Sequence, residues 1–231
     1  TPTLAYDESY DWTGFYAGLS GGYHLQHHKT DFTGTDNGPG GIWSQFRMGA
    51  LAGPSDAPEG LVIGGQLGYN HQIDVIVLGI EADLSYMDGA EKNGMVYIAG
   101  APITSRAKRD IDYFGTLRAR FGFLPTERLL LFATGGLAFG NSESSYSASA
   151  PGLLPSWEVS ASSKATVGHT VGGGLEYSIA DNWTIKGEYL YYDLGTKSWT
   201  GVQTMGNFVS TITGKTKHNG SMVRLGFNFR F

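Results

Sequence analysis

Acidic and basic residues recur at every second position in several stretches of this 231-residue chain. Residues two apart share one face of a β-strand, so such a stretch turns its charges to one side. Acids and bases that meet in an enclosed space neutralise one another as ion pairs, and this is the chemistry that the pattern predicts. The residues concerned are four acids and five bases: Glu81, Asp83, Arg118, Arg120, Glu176, Lys186, Glu188, Arg224 and Arg230.

Other reactive residue types offer weaker candidates. His24, His27 and His28 have a spacing that could suit a metal on a helix, but they follow a strand-like stretch. His169 and Ser178 fall on opposite faces of one predicted strand, so no Ser–His–acid set converges. The chain has no cysteine, which excludes disulfides, thiolate zinc sites and cysteine nucleophiles. We therefore predict no metal site, no cofactor and no enzymatic activity.

Strands are the elements that must position the charges. In the last eleven residues every second side chain is large and apolar, ending on Phe231, and this strict alternation is the period of a two-faced strand. The same reading along the chain predicts eight strands, at 12–24, 60–71, 75–87, 111–123, 129–141, 166–179, 183–194 and 220–231.

The connections between these strands alternate in length. Short connections lie at 70–74, 124–128 and 179–182, and long polar ones lie at 25–59, 88–110, 142–165 and 195–219. This arrangement predicts an all-β, eight-stranded antiparallel up-and-down transmembrane barrel. We expect one barrel domain over residues 12–231 with four long extracellular loops, preceded by a short periplasmic segment at residues 1–11.

The apolar strand faces have no apolar sequence left to cover them. No stretch of 18 apolar, uncharged residues exists, so no membrane-spanning helix is predicted. Lipid is the remaining cover, and strands of about ten residues match a tilted bilayer crossing. We therefore predict a bacterial outer-membrane location. The net charge of −5 argues against a nucleic-acid partner.

If the apolar faces meet lipid, the charged faces meet the lumen. An eight-stranded barrel is only wide enough for side chains to fill it, so the charges would form a satisfied polar plug. A gate or ion path, and hence a narrow passive channel, is the functional alternative. Two further alternatives are disfavoured: a soluble ligand carrier of lipocalin type would need an apolar lumen, and a lipid-modifying outer-membrane enzyme would need a converging catalytic set. Aromatic belts are expected where lipid meets water: Trp12, Phe15, Tyr23, Tyr69, Tyr86, Tyr113, Phe121, Phe123, Tyr177, Trp183, Tyr191, Phe229 and Phe231.

Basic residues gather in the last three predicted loops. Lipopolysaccharide presents phosphates at that height, and lysine and arginine bind phosphate through charge-assisted hydrogen bonds. We expect a lipopolysaccharide-binding patch formed by Arg106, Lys108, Arg109, Lys215 and Lys217.

Three stretches carry a resemblance to a known family: DWTGFYAGLSGGY (11–23), GLEYSIADNWTIKGEYLYYDLG (174–195) and VRLGFNFRF (223–231). They resemble the small porin-family surface proteins of alphaproteobacteria, eight-stranded relatives of the outer-membrane protein A barrel. The resemblance implies a structural role in envelope integrity, with contacts to outer-membrane lipids and lipopolysaccharide and to host or phage surfaces. It also implies that Phe231 is recognised by the barrel assembly machinery, and it implies no active site.

Overall fold

The computed structural model describes residues 10–38, 50–52, 59–87, 91–98, 101–110, 113–150, 154–205 and 208–231. Eleven strands lie within these ranges: β1 Gly14–Asp36, β2 Ala50–Ala52, β3 Glu59–Ile73, β4 Ile76–Met87, β5 Glu91–Ile98, β6 Ala101–Asp110, β7 Tyr113–Thr126, β8 Leu129–Ala150, β9 Leu154–Ala180, β10 Trp183–Met205 and β11 Phe208–Arg230. Among these residues no helix is long and apolar enough to span a membrane.

Eight of the strands close into a ring. Their order is β1, β3, β4, β7, β8, β9, β10 and β11, and β11 returns to β1 in antiparallel register from Tyr16↔Arg230 to Asp36↔Ser210. Every neighbouring pair is antiparallel. The predicted fold class, an eight-stranded antiparallel up-and-down barrel, is confirmed.

The segments predicted to be long loops contain strands where the structure describes them. The ring strands β1, β8, β9, β10 and β11 run well past their predicted ends. The pairs β8–β9 and β10–β11 therefore form long hairpins at the end of the barrel opposite the short turns. In addition β2 pairs with β1, and the β5–β6 hairpin adds to β8. These segments were predicted as loops because they are polar, but each of them continues or pairs with a strand of the closed wall. Backbone pairing with that wall, together with strand-favouring Thr, Val and Tyr residues, extends the sheet beyond the membrane.

Side chains alternate between the barrel surface and its interior. Leu225 and Phe227 are 65% and 54% exposed, whereas Arg224 and Asn228, which flank this pair on the alternate positions, are 1% exposed. The pattern repeats along Ile76–Met87, where apolar residues such as Ile80 point outward. The apolar faces are thus on the outside of the barrel, as predicted, and the ionic side chains are enclosed.

Trp12 is an exception to the predicted aromatic belts, and its assignment to the lipid face was wrong. It lies before β1, is 1% exposed, and packs inside the barrel at the end that carries the short turns. Phe15, which begins the lipid-facing series of β1, is 61% exposed. The alternation of β1 does not extend to Trp12 because the chain leaves the strand at Gly14, whose φ is +142°.

Candidate functional site

The strand register places acids beside bases at the middle of the lumen. Glu81 on β4 is the direct partner of Arg118 on β7, and Glu188 on β10 is the direct partner of Arg224 on β11. All four side chains sit at inward positions of strands whose outward positions are apolar. The alternation in sequence therefore fixes the direction of each charge, and the register fixes its neighbour.

Two arginines hold the part of the network nearer the long hairpins. Arg118 contacts Asp83 and Glu188 at 2.9 Å each and also pairs with Glu81. Arg224 contacts Asp83 and Glu188 at 2.8 Å each. The carboxylates of Asp83 and Glu188 are thus each shared by two guanidinium groups, and Thr116 donates a further hydrogen bond to Asp83.

Lys186 and Tyr16 connect this part of the network to the half of the lumen nearer the short turns. The Lys186 ammonium lies 2.9 Å from Glu81 and 3.2 Å from Glu188. The Tyr16 hydroxyl donates to Glu81 Oε2 at 2.7 Å and accepts from Arg120 Nη1 at 3.2 Å. One tyrosine hydroxyl therefore bridges a carboxylate and a guanidinium.

Arg120 and Glu176 form the ion pair nearest the short turns. Glu176 Oε1 also accepts hydrogen bonds from the Thr184 hydroxyl at 2.5 Å and from Asn228 Nδ2 at 2.7 Å. Asn228 in turn accepts from Gln66 Nε2 at 2.7 Å. Neutral side chains thus satisfy the carboxylate oxygen that the arginine does not use.

The eight charged side chains form one buried set with no net formal charge, since four are acids and four are bases. Each is at most 5% exposed. They are eight of the nine residues predicted to face the lumen: Glu81, Asp83, Arg118, Arg120, Glu176, Lys186, Glu188 and Arg224. The ninth, Arg230, is only partly buried and lies at the short-turn end, beside Tyr10 and Asp181. Buried ions need partners, because a charge left alone in such surroundings costs several kcal/mol. The mutual pairing makes the filled lumen physically possible.

Apolar side chains close the lumen on both sides of the charges, and the sequence reading missed them. Toward the short turns, the turn-side apolar layer consists of Tyr10, Trp12, Val77, Leu124 and Leu130. Toward the long hairpins, the hairpin-side apolar layer consists of Val62, Met87, Phe114, Ala138, Leu190, Tyr192, Leu194 and Met222. The available signal was that apolar residues occupy the polar parity near both strand ends, as Val77 does at the short-turn end and Leu190 at the other end.

The basic residues expected to form one patch lie on two strands that do not pair with each other. Arg106, Lys108 and Arg109 are in strand β6, which pairs with β5 and β8. Lys215 and Lys217 are exposed on β11, which pairs with β10 and β1. Their backbone continues the sheets where loops were predicted, and their contact with lipopolysaccharide stays a prediction.

An ion pair holds one of the basic residues of β11, Lys217. Lys217 Nζ lies 3.1 Å from Asp193 Oδ2, and the other carboxylate oxygen accepts the Gly195 N–H at 2.8 Å. Partial burial raises the pKa of Asp193, but the Gly195 N–H and Lys217 outweigh burial, so this pKa lies below its usual value. The carboxylate stays ionised and holds Lys217 on the outer wall, between the lipid-facing apolar residues of β11 and the tip of its hairpin.

The structure also shows the positions of Phe231, His169 and Ser178. The Phe231 ring is 74% exposed, and its N–H donates to the carbonyl of Phe15 at 3.0 Å, joining the two ends of the barrel chain. His169 is exposed while Ser178 is fully buried, so they do not meet. Within the described residues no three His, Asp or Glu side chains form a group suited to a metal ion.

Comparison with known proteins agrees with this architecture. A family model described as "Outer membrane protein beta-barrel domain" matches residues 1–231. The chain belongs to this outer-membrane β-barrel family. It is an outer-membrane protein, as its lipid-facing apolar surface predicted.

Relatives within the family include alphaproteobacterial surface antigens, so the predicted resemblance is confirmed. The 31 kDa outer-membrane immunogenic protein of Brucella melitensis biotype 1 is 35% identical over 236 residues, covering 100% of this chain and 88% of the relative. The 22 kDa outer membrane protein of Rhizobium leguminosarum bv. viciae is 30% identical over 168 residues, covering 70% of this chain and 69% of the relative. Among solved structures, Neisserial surface protein A aligns with a TM-score of 0.41 at 12% identity, covering 95% of this chain and 98% of that one.

Proposed function

We propose that this family member is a structural, non-conducting surface protein that contributes to the integrity of the outer membrane. The observation that carries the proposal is the filled lumen. Paired charges occupy its middle, and an apolar layer lies on each side of them. An ion crossing this path would have to break buried ion pairs and pass two apolar layers, and each step is costly.

The protein has no enzymatic role in this proposal. Its buried acids and bases neutralise one another, which leaves none of the eight positioned to transfer a proton to a bound molecule. Curated relatives are named outer-membrane immunogenic proteins, which supports a part presented at the cell surface. The long hairpins that rise beyond the apolar band would make the contacts with host or phage surfaces.

Conductance across a planar bilayer tests the closed lumen. The folded barrel, with folding checked by its gel mobility, is expected to give no stable unitary step over a range of applied voltages. A heat-denatured sample at the same concentration controls for detergent-induced leaks. A reproducible unitary step that only the folded protein gives would support the narrow channel instead and contradict the structural proposal.

Lipopolysaccharide is the proposed partner of the basic residues at the outer ends of the strands. Lys215 and Lys217 project from the outer wall of β11, where lipid-linked phosphates would lie beside them. Arg106, Lys108 and Arg109 provide a second basic group on β6. The two groups would contact different lipopolysaccharide molecules, because β6 and β11 are not neighbours in the sheet.

Neutralising each group separately tests this contact. Loss of a lysine near an anionic membrane surface costs about 1 kcal/mol, so Lys215→Gln with Lys217→Gln should weaken lipopolysaccharide binding about thirtyfold at low salt. Arg128→Gln, exposed at the opposite end of the barrel, is the control. A triple variant of Arg106, Lys108 and Arg109 tests β6 alone. Unchanged retention of lipopolysaccharide by both variants would remove the partner from the proposal.

A further inference from the structure

Residues 10–13, here termed the periplasmic cap, cross the mouth of the barrel at the end that carries the short turns. The cap precedes Gly14, where β1 begins. In the ring, β8 is four strands from β1 in either direction, so the turn between β7 and β8 lies on the far side of the mouth. Trp12 Nε1–H reaches that turn and donates to the carbonyl of Glu127 at 2.9 Å.

The cap is also attached to the turn between β3 and β4. The Trp12 backbone N–H donates to Gln72 Oε1 at 2.8 Å, and the Gln72 backbone N–H donates to the Thr13 hydroxyl at 3.1 Å. Gln72 Nε2 donates to the carbonyl of Asp74 in the turn itself, at 2.9 Å. One glutamine thus holds the cap and the turn together.

Arg230 joins the cap to the third short turn. Its guanidinium carbon lies 4.2 Å from the centre of the Tyr10 ring, in cation–π geometry, and its Nη2 donates to the carbonyl of Asp181 at 3.3 Å. The Tyr10 ring packs edge-on against Trp12 with centroids 5.0 Å apart. All three short turns therefore contact the cap, directly or through one side chain.

The cap differs from the barrel wall in how it is held. Trp12 and Tyr10 bury their rings against Val77, Leu124 and Leu130, which excludes water from the mouth. Among the described residues, no ladder pairing includes the cap, whereas every neighbouring wall strand is fixed by many backbone hydrogen bonds. A segment held by side-chain contacts without ladder pairing can open locally at a lower free energy than the whole fold.

We propose that the periplasmic cap is a lid that seals the turn-side end of the lumen against water and opens as a unit while the barrel stays intact. When the lid opens, water reaches the turn-side apolar layer but stops at the paired charges. The lid goes beyond the proposed function: with the lid open, the paired charges and the hairpin-side apolar layer still close the lumen, so either proposal can fail without the other.

Cysteine accessibility in the folded barrel tests the lid, because the chain has no native cysteine. Val77→Cys places a nearly isosteric thiol behind Trp12, and Val75→Cys, in the adjacent turn and 52% exposed, is the matched reference. A small charged methanethiosulfonate should label position 77 at least about a hundredfold more slowly than position 75. Adding Trp12→Ala should raise the rate at position 77 by at least about tenfold.

Two controls separate lid opening from unfolding. Trp183→Ala removes the same side chain from the outer surface at the same end, where Trp183 is 47% exposed, and should leave the rate at position 77 unchanged. Ser85→Cys probes the charge layer and should stay protected in the Trp12→Ala background. The proposal is overturned if position 77 labels as fast as position 75 in the native background. It is also overturned if Trp12→Ala has no effect, or exposes position 85 as well.

Discussion

At the scale of single residues, Arg118 pairs with more carboxylates than a simple ion pair provides. Its guanidinium contacts three carboxylates, those of Glu81, Asp83 and Glu188, and its side chain is completely buried. Arginine suits such a site because it stays charged and offers several donors in one plane. Removing it would leave three carboxylates with fewer partners than they need.

Arg118→Met should therefore destabilise the barrel by about 3–5 kcal/mol, the usual cost of breaking a buried ion pair on one side. Lys215→Met removes a cation from the exposed face of β11 and should cost less than about 1 kcal/mol. The measurement is the urea midpoint of unfolding in detergent micelles. Equal midpoints for the two variants would contradict the assignment of Arg118 to a buried network.

Gly68 makes space for the tyrosine that bridges Glu81 and Arg120. It is the direct strand partner of Tyr16, and a Cβ at position 68 would overlap the Tyr16 ring. Because the ring is enclosed, it has little room to move away. The glycine is therefore required by packing rather than by its backbone angles.

Gly68→Ala should destabilise the protein by about 1–3 kcal/mol, the range for overfilling a packed interior. Gly135→Ala is the matched control, since a Cβ there would lie 3.7 Å from the nearest atom, the carbonyl oxygen of Thr170. In that strand alanine should be neutral or slightly stabilising. Thermal unfolding of both variants distinguishes them, and an unaffected Gly68→Ala barrel would show that Tyr16 can be displaced at no cost.

At the scale of elements, β11 closes the ring, and the exposed aromatic residue Phe231 follows it directly. It pairs with β1 and β10 along nearly its whole length. Phe231 donates one backbone hydrogen bond to Phe15, and its ring lies outside the lumen. Such an exposed ring contributes little to the folded barrel, so a role in recognition by the assembly machinery remains the prediction for it.

Phe231→Ala should slow assembly by the barrel machinery severalfold while leaving spontaneous refolding into detergent unchanged. The reason is that a recognition signal acts only when its receptor is present. Phe227→Ala removes a ring from the same face, where Phe227 is 54% exposed, and should not affect machinery-dependent assembly selectively. Assembly into membranes that carry the machinery, compared with detergent refolding, measures the difference. Equal slowing in both assays would assign Phe231 to stability instead.

At the scale of the whole molecule, three packed layers of side chains fill the lumen within the described residues. The turn-side apolar layer, the paired charges and the hairpin-side apolar layer follow one another along the axis. Side chains from all eight ring strands meet in these layers. Unfolding of the wall must therefore break the closed ladder, the paired charges and the hairpin-side apolar layer together, which makes the transition cooperative.

The intact barrel should resist sodium dodecyl sulfate at room temperature and migrate as a compact species on a gel. After boiling it should migrate at the position of the extended chain. Arg118→Met should lower the temperature at which the two bands exchange, and Lys215→Met should not. A single band whose mobility is the same before and after boiling would be inconsistent with a closed barrel of this kind.

The sequence by itself determined the architecture and the direction of the side chains. Strict alternation around Leu225 and Phe227 fixed which face meets lipid, because the strand period is two and one face had no other cover. The alternation of short and long connections fixed the meander. The eight lumen charges followed from the same parity, since their strands were recognisable from local pattern.

Only the tertiary structure decided which charge meets which, and what closes the two ends of the lumen. Partners such as Arg118 and Glu188 come from strands that are not neighbours, so their contact depends on ring closure and register rather than on local pattern. The direction of the Trp12 side chain could not be predicted from local pattern either. Its inward direction is set by turns that lie far away in the sequence, including Glu127 across the mouth, and no periodicity within residues 10–13 encodes that contact.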